Sequence, residues 1–241
     1  MDIANNVFVV TGASMGIGLA AAEALAAKGG KVALLARSEE AIKAASARLK
    51  DSDAVVADMT DLDSVRSAIA SVKTHYGRID GLVNNAGRSY AANVEHIDPA
   101  VFEEIFRLNV LGPIVAMQAV IPTMRAQGKG AIVNVNSGTA FMTIPGYGVY
   151  SASKRALLGF SMTARMELEK DGIVVGEVYP FVTATNFGKN RMGAHGAGPT
   201  GNYAAGDSPQ FVAGLIVKAL EEGVAQVFAN DRIRDLAGAG K

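Results

Sequence analysis

Short β-branched runs alternate with longer segments of helical period along nearly the whole chain, and this alternation most constrains what it can fold into. The runs are NVFVVT (6–11), KVALLA (31–36), AVVA (54–57), GLVNN (81–85), AIVNVN (131–136), IVVGEVY (173–179) and AQVFA (225–229). Most are apolar at both odd and even positions, the pattern of strands covered on both faces of a parallel sheet. Helical stretches separate them: MGIGLAAAEALAAKGG, RSEEAIKAASARLK, DLDSVRSAIASVKTHYG, two longer ones over 99–127 and 149–170, and SPQFVAGLIVKALEEG, where Ser208 reads as a cap before Pro209. The sequence therefore predicts an α/β fold, a doubly wound Rossmann-type sheet with helices on both faces. With no repeat or dividing linker, residues 1–241 read as one domain long enough for a large core.

Composition excludes some functions. Acidic and basic residues balance at 23 each, so nothing favours a nucleic-acid backbone. There are no cysteines, hence no disulfide, thiolate nucleophile or cysteine metal site. His75 and His96 have no spaced partner, and no carboxylate–histidine cluster points to a metal. No run reads as long and apolar enough to span a bilayer. The opening MDIANNVFVV lacks the basic-then-apolar form of a secretion signal. A cytoplasmic protein without a membrane partner is the expectation.

The segment TGASMGIG joins the first strand to the first helix. Gly12 permits the turn, Gly16 admits a ligand close to the backbone, and Gly18 lets helix and strand approach. The helix N-terminus offers N–H groups and a positive dipole end to a pyrophosphate. Gly12, Ser14, Gly16, Ile17 and Gly18 are thus candidate dinucleotide contacts. An acid ending the second strand would select NAD(H) through the ribose 2′-hydroxyl. Here Ala36 holds that place and Arg37 follows. A guanidinium grips a 2′-phosphate bidentately, at about 1.5–3 kcal/mol, and Ser38 offers a second donor. NADP(H) is expected over NAD(H). The alternative is a solvated Arg37 paired with Glu39 or Glu40.

YSASK (150–154) places Tyr150 and Lys154 four apart, on one face if 149–170 is helical. A free tyrosine titrates at about pH 10, and a neighbouring ammonium favours the phenolate, bringing it toward the range useful for acid–base work. Tyr147 has only Ser151 at that offset. Ser137 ends the fifth strand on the edge where ligands bind, so its hydroxyl is placed to share a carbonyl oxygen with Tyr150. Alone, a tyrosine and lysine at this spacing more often mean packing.

Together, TGASMGIG (11–18), Asp58, NNAG (84–87), Asn109 in LNV, Ser137 and YSASK resemble the short-chain dehydrogenase/reductase family, over about residue 4 to 229. The resemblance implies a seven-stranded parallel sheet and an oxidoreductase acting on a small carbonyl or alcohol. Tyr150 would be general acid and base, Lys154 would lower its pKa and bond the nicotinamide ribose, and Ser137 would polarise the substrate oxygen. Asn109 would hold a relay water by its backbone carbonyl. Asp58 and Met59 would border the adenine, and Asn85, Ala86 and Gly87 would line the cofactor. Pro180, Thr183 and Thr185 would meet the nicotinamide end. A homotetramer or dimer is implied. The rival readings are a dinucleotide-binding redox sensor and an epimerase or dehydratase on the same fold.

The chain departs from the family pattern in places. Asn136 stands where a serine is frequent before Ser137, with consequence expected only at the pocket wall. Phe181 replaces the glycine after Pro180, placing a bulky ring where it could narrow the site. Met15 precedes Gly16 where a basic residue would support NADP(H). Residues 186–207, rich in glycine, read as a substrate lid, and His195 lies within it. Phe141, Met142, Tyr147, Phe187 and Met192 are candidate pocket walls or plain core. Asp80, before the fourth strand, reads as a turn cap.

Overall fold

Apolar residues at both parities of the central strands demand cover on two faces, and the chain supplies it. The computed structural model describes residues 1–185, 187–188, 192–193 and 206–238. Seven strands, β1 (Val7–Thr11), β2 (Lys31–Ala36), β3 (Ser52–Val56), β4 (Gly81–Asn84), β5 (Gly130–Val135), β6 (Ile173–Tyr179) and β7 (Gln226–Phe228), form one sheet in the order β3-β2-β1-β4-β5-β6-β7. Every pairing is parallel; Val9, for example, faces Ala33 on one side and Leu82 on the other. The order reverses between β1 and β4, so a crevice opens above their carboxyl ends.

The two parities of each strand feed two cores. Phe8, Val10, Val32 and Leu34 pack with α1 (Gly16–Ala27), α2 (Glu39–Ser46) and α7 (Pro209–Glu222). Val7, Val9, Ala33 and Leu35 pack with α3 (Leu62–Tyr76), α5 (Gly112–Gln127) and α6 (Gly148–Leu168). Side-chain caps set several helix starts: Ser38, Asp61, Asp98 and Ser208 each accept a first-turn N–H. The expected stretch 99–127 is α4 (Pro99–Phe106), a π turn (Arg107–Leu111) and α5 in unbroken sequence. A short α8 (Asp231–Leu236), capped by Asn230, follows the last strand and had no counterpart in the sequence reading.

Two expectations are corrected. The stretch Pro99–Gln127 is long and apolar enough by composition to cross a membrane, with a mean hydropathy of 1.5 in its best window. Half of that window is buried in the fold, where Val115, Ala116, Met117, Val120 and Met124 face the sheet. The apolar run is the buried stripe of a core helix, interrupted by prolines, glycine and amides that hide its length.

Asp80 is no turn cap. Its carboxylate is fully buried, accepts from Val7 N at 2.9 Å, and is gripped by Arg78 at 2.7 Å and 2.6 Å. It ties the start of β1 to the start of β4. Asp80→Asn keeps the shape but leaves the guanidinium without its charge partner. We expect a loss of about 3 kcal/mol in folding free energy by denaturant titration. A loss under about 1 kcal/mol would show that the pair is peripheral.

Candidate active site

The β1–α1 turn approaches β4 too closely for side chains. Gly12 has φ +66°, and a Cβ there would lie 2.9 Å from Ala86 Cα; one at Gly18 would lie 2.4 Å from the Gly12 carbonyl oxygen. Thr11 and Asn85 lock this approach. The Thr11 hydroxyl accepts from Asn85 N and Ala86 N, both at 3.0 Å, while Asn85 Nδ2 donates to Thr11 O at 2.9 Å. Met15, at the N-cap of α1, makes no side-chain cap bond, so the first-turn N–H groups keep their dipole end for an anion. A Cβ at Gly16 would stand 3.4 Å from Thr185 Cγ2, which brings the loop after β6 to the same mouth. Thr183 Oγ1 is buried there without a partner among the described residues. An open cradle with an orphaned hydroxyl fits a dinucleotide and its carboxamide.

The other expected cofactor positions are placed as follows. Ser14 and Ile17 flank the turn half-buried. Asp58 Oδ1 is occupied by Thr60 N and Oγ1 at 2.8 Å each, and Met59 O abuts Gly112. Arg37 is exposed after β2, and no ion pair engages it among the described residues; Glu39 is taken by Lys43 at 2.6 Å. Ser38 caps α2, accepting from Ala41 N at 3.3 Å. Pro180 O accepts from Gly138 N at 2.9 Å, joining the loops after β5 and β6. Gly87 stands between two polar groups: its Cβ would lie 3.1 Å from Asn109 Oδ1 and 3.8 Å from Lys154 Nζ.

Tyr150 and Lys154 lie in the first two turns of α6, both buried, with Nζ 5.9 Å from the centre of the Tyr150 ring. Nζ donates to Val135 O at 2.9 Å, at the carboxyl end of β5. Burial drives the Lys154 ammonium down to about 8, and the Glu177 carboxylate partly opposes this. Ser137 follows β5; its Oγ accepts from Thr139 N at 3.2 Å and Thr139 Oγ1 at 3.0 Å, which leaves the hydroxyl proton for a substrate oxygen.

Asn109 sits fully buried inside the π turn, where Gly112 N reaches back to Arg107 O. Such a turn shifts the carbonyl register and is common at functional sites. The Asn109 side chain is committed to structure: it accepts from Arg88 N at 2.9 Å and donates to Arg88 O at 2.9 Å and Ser153 Oγ at 3.1 Å.

The aromatic candidates divide. Tyr147 and Phe187 meet the Tyr150 ring at 6.0 Å and 5.9 Å. Met192 pairs through its main chain with Ser89 and Ala91 at 3.0 Å each. Phe141 packs on Tyr179, and with Met142 lines a cleft of about 660 Å³ shared with Arg232 and Leu236 of α8. Phe181 leans toward α8, its ring 6.0 Å from the Arg232 guanidinium and close to Gly138. The lid expected over 186–207 lies largely outside the described residues, as does His195.

Sequence reasoning missed a buried group beneath the site. Asn136 does not form a pocket wall. It is buried, donating to Lys154 O at 3.1 Å and Glu177 Oε1 at 3.0 Å and accepting from Ser137 N at 2.9 Å. The signal was a lone carboxylate in IVVGEVY, a strand otherwise apolar on both faces.

A model of the short chain dehydrogenase family matches residues 6–194. The chain is 32% identical over 229 residues to dehydrogenase/reductase SDR family member 7B of Xenopus tropicalis, covering 90% of this chain and 74% of that one. It is 33% identical over 195 residues to 2-(S)-hydroxypropyl-CoM dehydrogenase 3 of Xanthobacter autotrophicus, covering 79% and 76%. A short chain dehydrogenase/reductase of Burkholderia phymatum, solved in complex with NAD, superposes with a TM-score of 0.89 at 23% identity, covering 98% and 92%, and shares the fold.

Lys154 binds its proton less tightly when folded than when unfolded, so folding is opposed below pH 8 and that opposition fades as pH rises toward 10.5. Lys154→Met is therefore expected to be more stable than the parent at pH 7 by up to about 3 kcal/mol, less what Val135 O loses. Denaturant titrations from pH 7 to 10.5 should show the gap closing. A constant gap would refute the burial cost.

Proposed function

The chain belongs to the short-chain dehydrogenase/reductase family, and from that premise we propose that it interconverts a ketone or aldehyde with an alcohol, using NADP(H). The observation that carries this reading is the buried Tyr150–Lys154 pair at the carboxyl end of β5, next to Ser137 and across from the uncapped start of α1.

The turn glycines, Asn85 to Gly87, Pro180, Thr183 and Thr185 would hold the cofactor. When bound, the nicotinamide supplies or accepts the hydride. In reduction, Tyr150 gives its phenolic proton to the carbonyl oxygen, and in oxidation the phenolate takes it from the alcohol. The Lys154 ammonium favours the phenolate and would bond the ribose of a bound cofactor. Ser137 donates to the same oxygen and fixes its orientation. The π turn at Asn109 supports a backbone carbonyl free to hold a water behind Lys154, through which Tyr150 is reprotonated. Arg37, exposed and without an ion pair among the described residues, supports 2′-phosphate recognition. Exposed Phe102 and Leu111, with Phe160, Met162 and Met166 on α6, support a homo-oligomer that covers them.

Following NADPH absorbance across a panel of ketones and aldehydes tests the chemistry. Tyr150→Phe should lose at least about 100-fold in kcat while binding NADPH with unchanged Kd. Wild-type turnover in that variant would refute the role. NADPH binding without turnover in the parent would instead favour a sensor.

Cofactor choice has its own test. Arg37→Asp should reverse the preference by lowering kcat/KM for NADPH about tenfold to a hundredfold. An unchanged ratio of NADPH to NADH efficiency would leave Arg37 a solvated surface residue.

A further inference from the structure

Glu177 is a carboxyl group almost wholly buried in β6, on the face that α6 covers. Its surroundings are built for a charge. Oε1 accepts from Asn136 Nδ2 at 3.0 Å, a nitrogen that has only hydrogens to offer. Oε2 receives the Tyr179 hydroxyl, whose own lone pair is taken by Gln226 Nε2 at 2.9 Å. A buried polar chain packs beside the carboxyl: Ser161 Oγ of α6 donates to Leu157 O at 2.8 Å and accepts from Asn134 Nδ2 at 2.7 Å, and Asn84 Nδ2 donates to Asn134 Oδ1 at 2.8 Å. Burial pushes the Glu177 pKa up, while the donors aimed at both carboxyl oxygens and the nearby Lys154 charge favour the ionised form.

The network ends at the residues that do the chemistry. Asn136 spends its two amide hydrogens on Glu177 Oε1 and Lys154 O, and its oxygen on Ser137 N. One side chain therefore fixes the main chain of both Ser137 and Lys154. The titratable groups facing Lys154 are Tyr150 from its own helix and Glu177 from β6. Those facing Glu177 are Tyr179 from its own strand and Lys154 from α6; Asn136, Ser161 and Gln226 are neutral.

We propose that Glu177 is a positioning residue for the carbonyl–alcohol reaction: through Asn136 its carboxylate holds the main chain that carries Ser137 and Lys154, and its charge acts on the Lys154 ammonium. The proposal rests on the reductase reading given above. The carboxylate supplies the opposite charge that a buried ammonium lacks in apolar surroundings. Removing it makes any deprotonation of the coupled Tyr150–Lys154 pair easier, whichever group gives up the proton. The alkaline limb of reduction must then move to lower pH.

The experiment compares wild type with Glu177→Gln, which preserves shape and an acceptor for Asn136 but removes the charge. Lysines labelled with ¹³C, assigned through Lys154→Arg, are titrated by NMR, beside pH–rate profiles with NADPH and an accepted ketone. The Lys154 midpoint is expected to fall by about one pH unit, and the alkaline limb with it. At pH 8 that means about fivefold lower kcat. A purely structural role would scale kcat evenly at all pH values and leave the midpoint in place. An unmoved midpoint in folded Glu177→Gln overturns the proposal, even with the reductase reading intact. A shifted midpoint in a protein that reduces no carbonyl sinks the reductase reading while the carboxylate–ammonium coupling stands. Should Glu177→Gln not fold, Asn136→Ser cuts the link alone and is expected to lower kcat about tenfold with KM for NADPH unchanged. Full kcat in Asn136→Ser would overturn the proposal as well.

Discussion

The junction of β1 and β4 is the constraint on which everything else depends. The strand order turns back on itself there, so the connections leave in opposite directions and a crevice opens between them. Besides their parallel pairing, side chains tie the two strands at both ends. Asp80 ties them at the bottom through Val7 N and Arg78. Thr11 and Asn85 tie them at the top, just beneath the opening. The glycines follow from those ties. With Asn85 drawn onto Thr11, no Cβ fits at Gly12 or Gly18. The same closeness makes glycine obligatory at Gly12 and Gly18, and the N-cap Met15 leaves the first-turn N–H groups uncapped, which is what a phosphate-bearing ligand requires.

A second cost is accepted one strand away. Lys154 is buried, and an ammonium out of water is expensive. The Val135 carbonyl and the Glu177 carboxylate offset part of it, but the pairing does not make burial favourable, since the lysine still titrates near 8. Stability alone would replace both groups with apolar side chains. Their presence beside a buried phenol is the mark of a site where electrostatics is bought with folding energy.

How much of this was legible depended on whether the signal was local. Strand runs such as KVALLA and IVVGEVY, and caps such as Ser208, are properties of adjacent residues, and they folded where the pattern put them. The glycine turn and the Tyr150–Lys154 spacing were readable for the same reason. The π turn was not, because a single five-residue turn between two helices is too short for its different period to register. Helix α8 is too short for periodicity to register. Asp80 was visible as an acid before a strand, yet its partners are Arg78 beside it and Val7 N, 73 residues away. The helical span 99–127 was read correctly, but its apolar length was underestimated because amides and prolines punctuate a stripe that is continuous only on the helix surface.

Asn136 illustrates the limit best, because its meaning depends on a residue in another strand. Taken with Ser137 alone, it looks like a neutral exchange for the serine common at that place. Taken with Glu177, it is demanded. A serine at position 136 would have one hydrogen to give, whereas three atoms here need a partner: Glu177 Oε1, Lys154 O and Ser137 N. Only an amide offers two donors and an acceptor in one plane. Conversely, a carboxylate at 177 without Asn136 would keep Tyr179 but lose the donor on its other oxygen, a penalty of about 1–3 kcal/mol or more for a buried charged group. The two residues therefore form a single solution, in which the charge under Lys154 and the hydrogen bonds that seat Ser137 come from the same network.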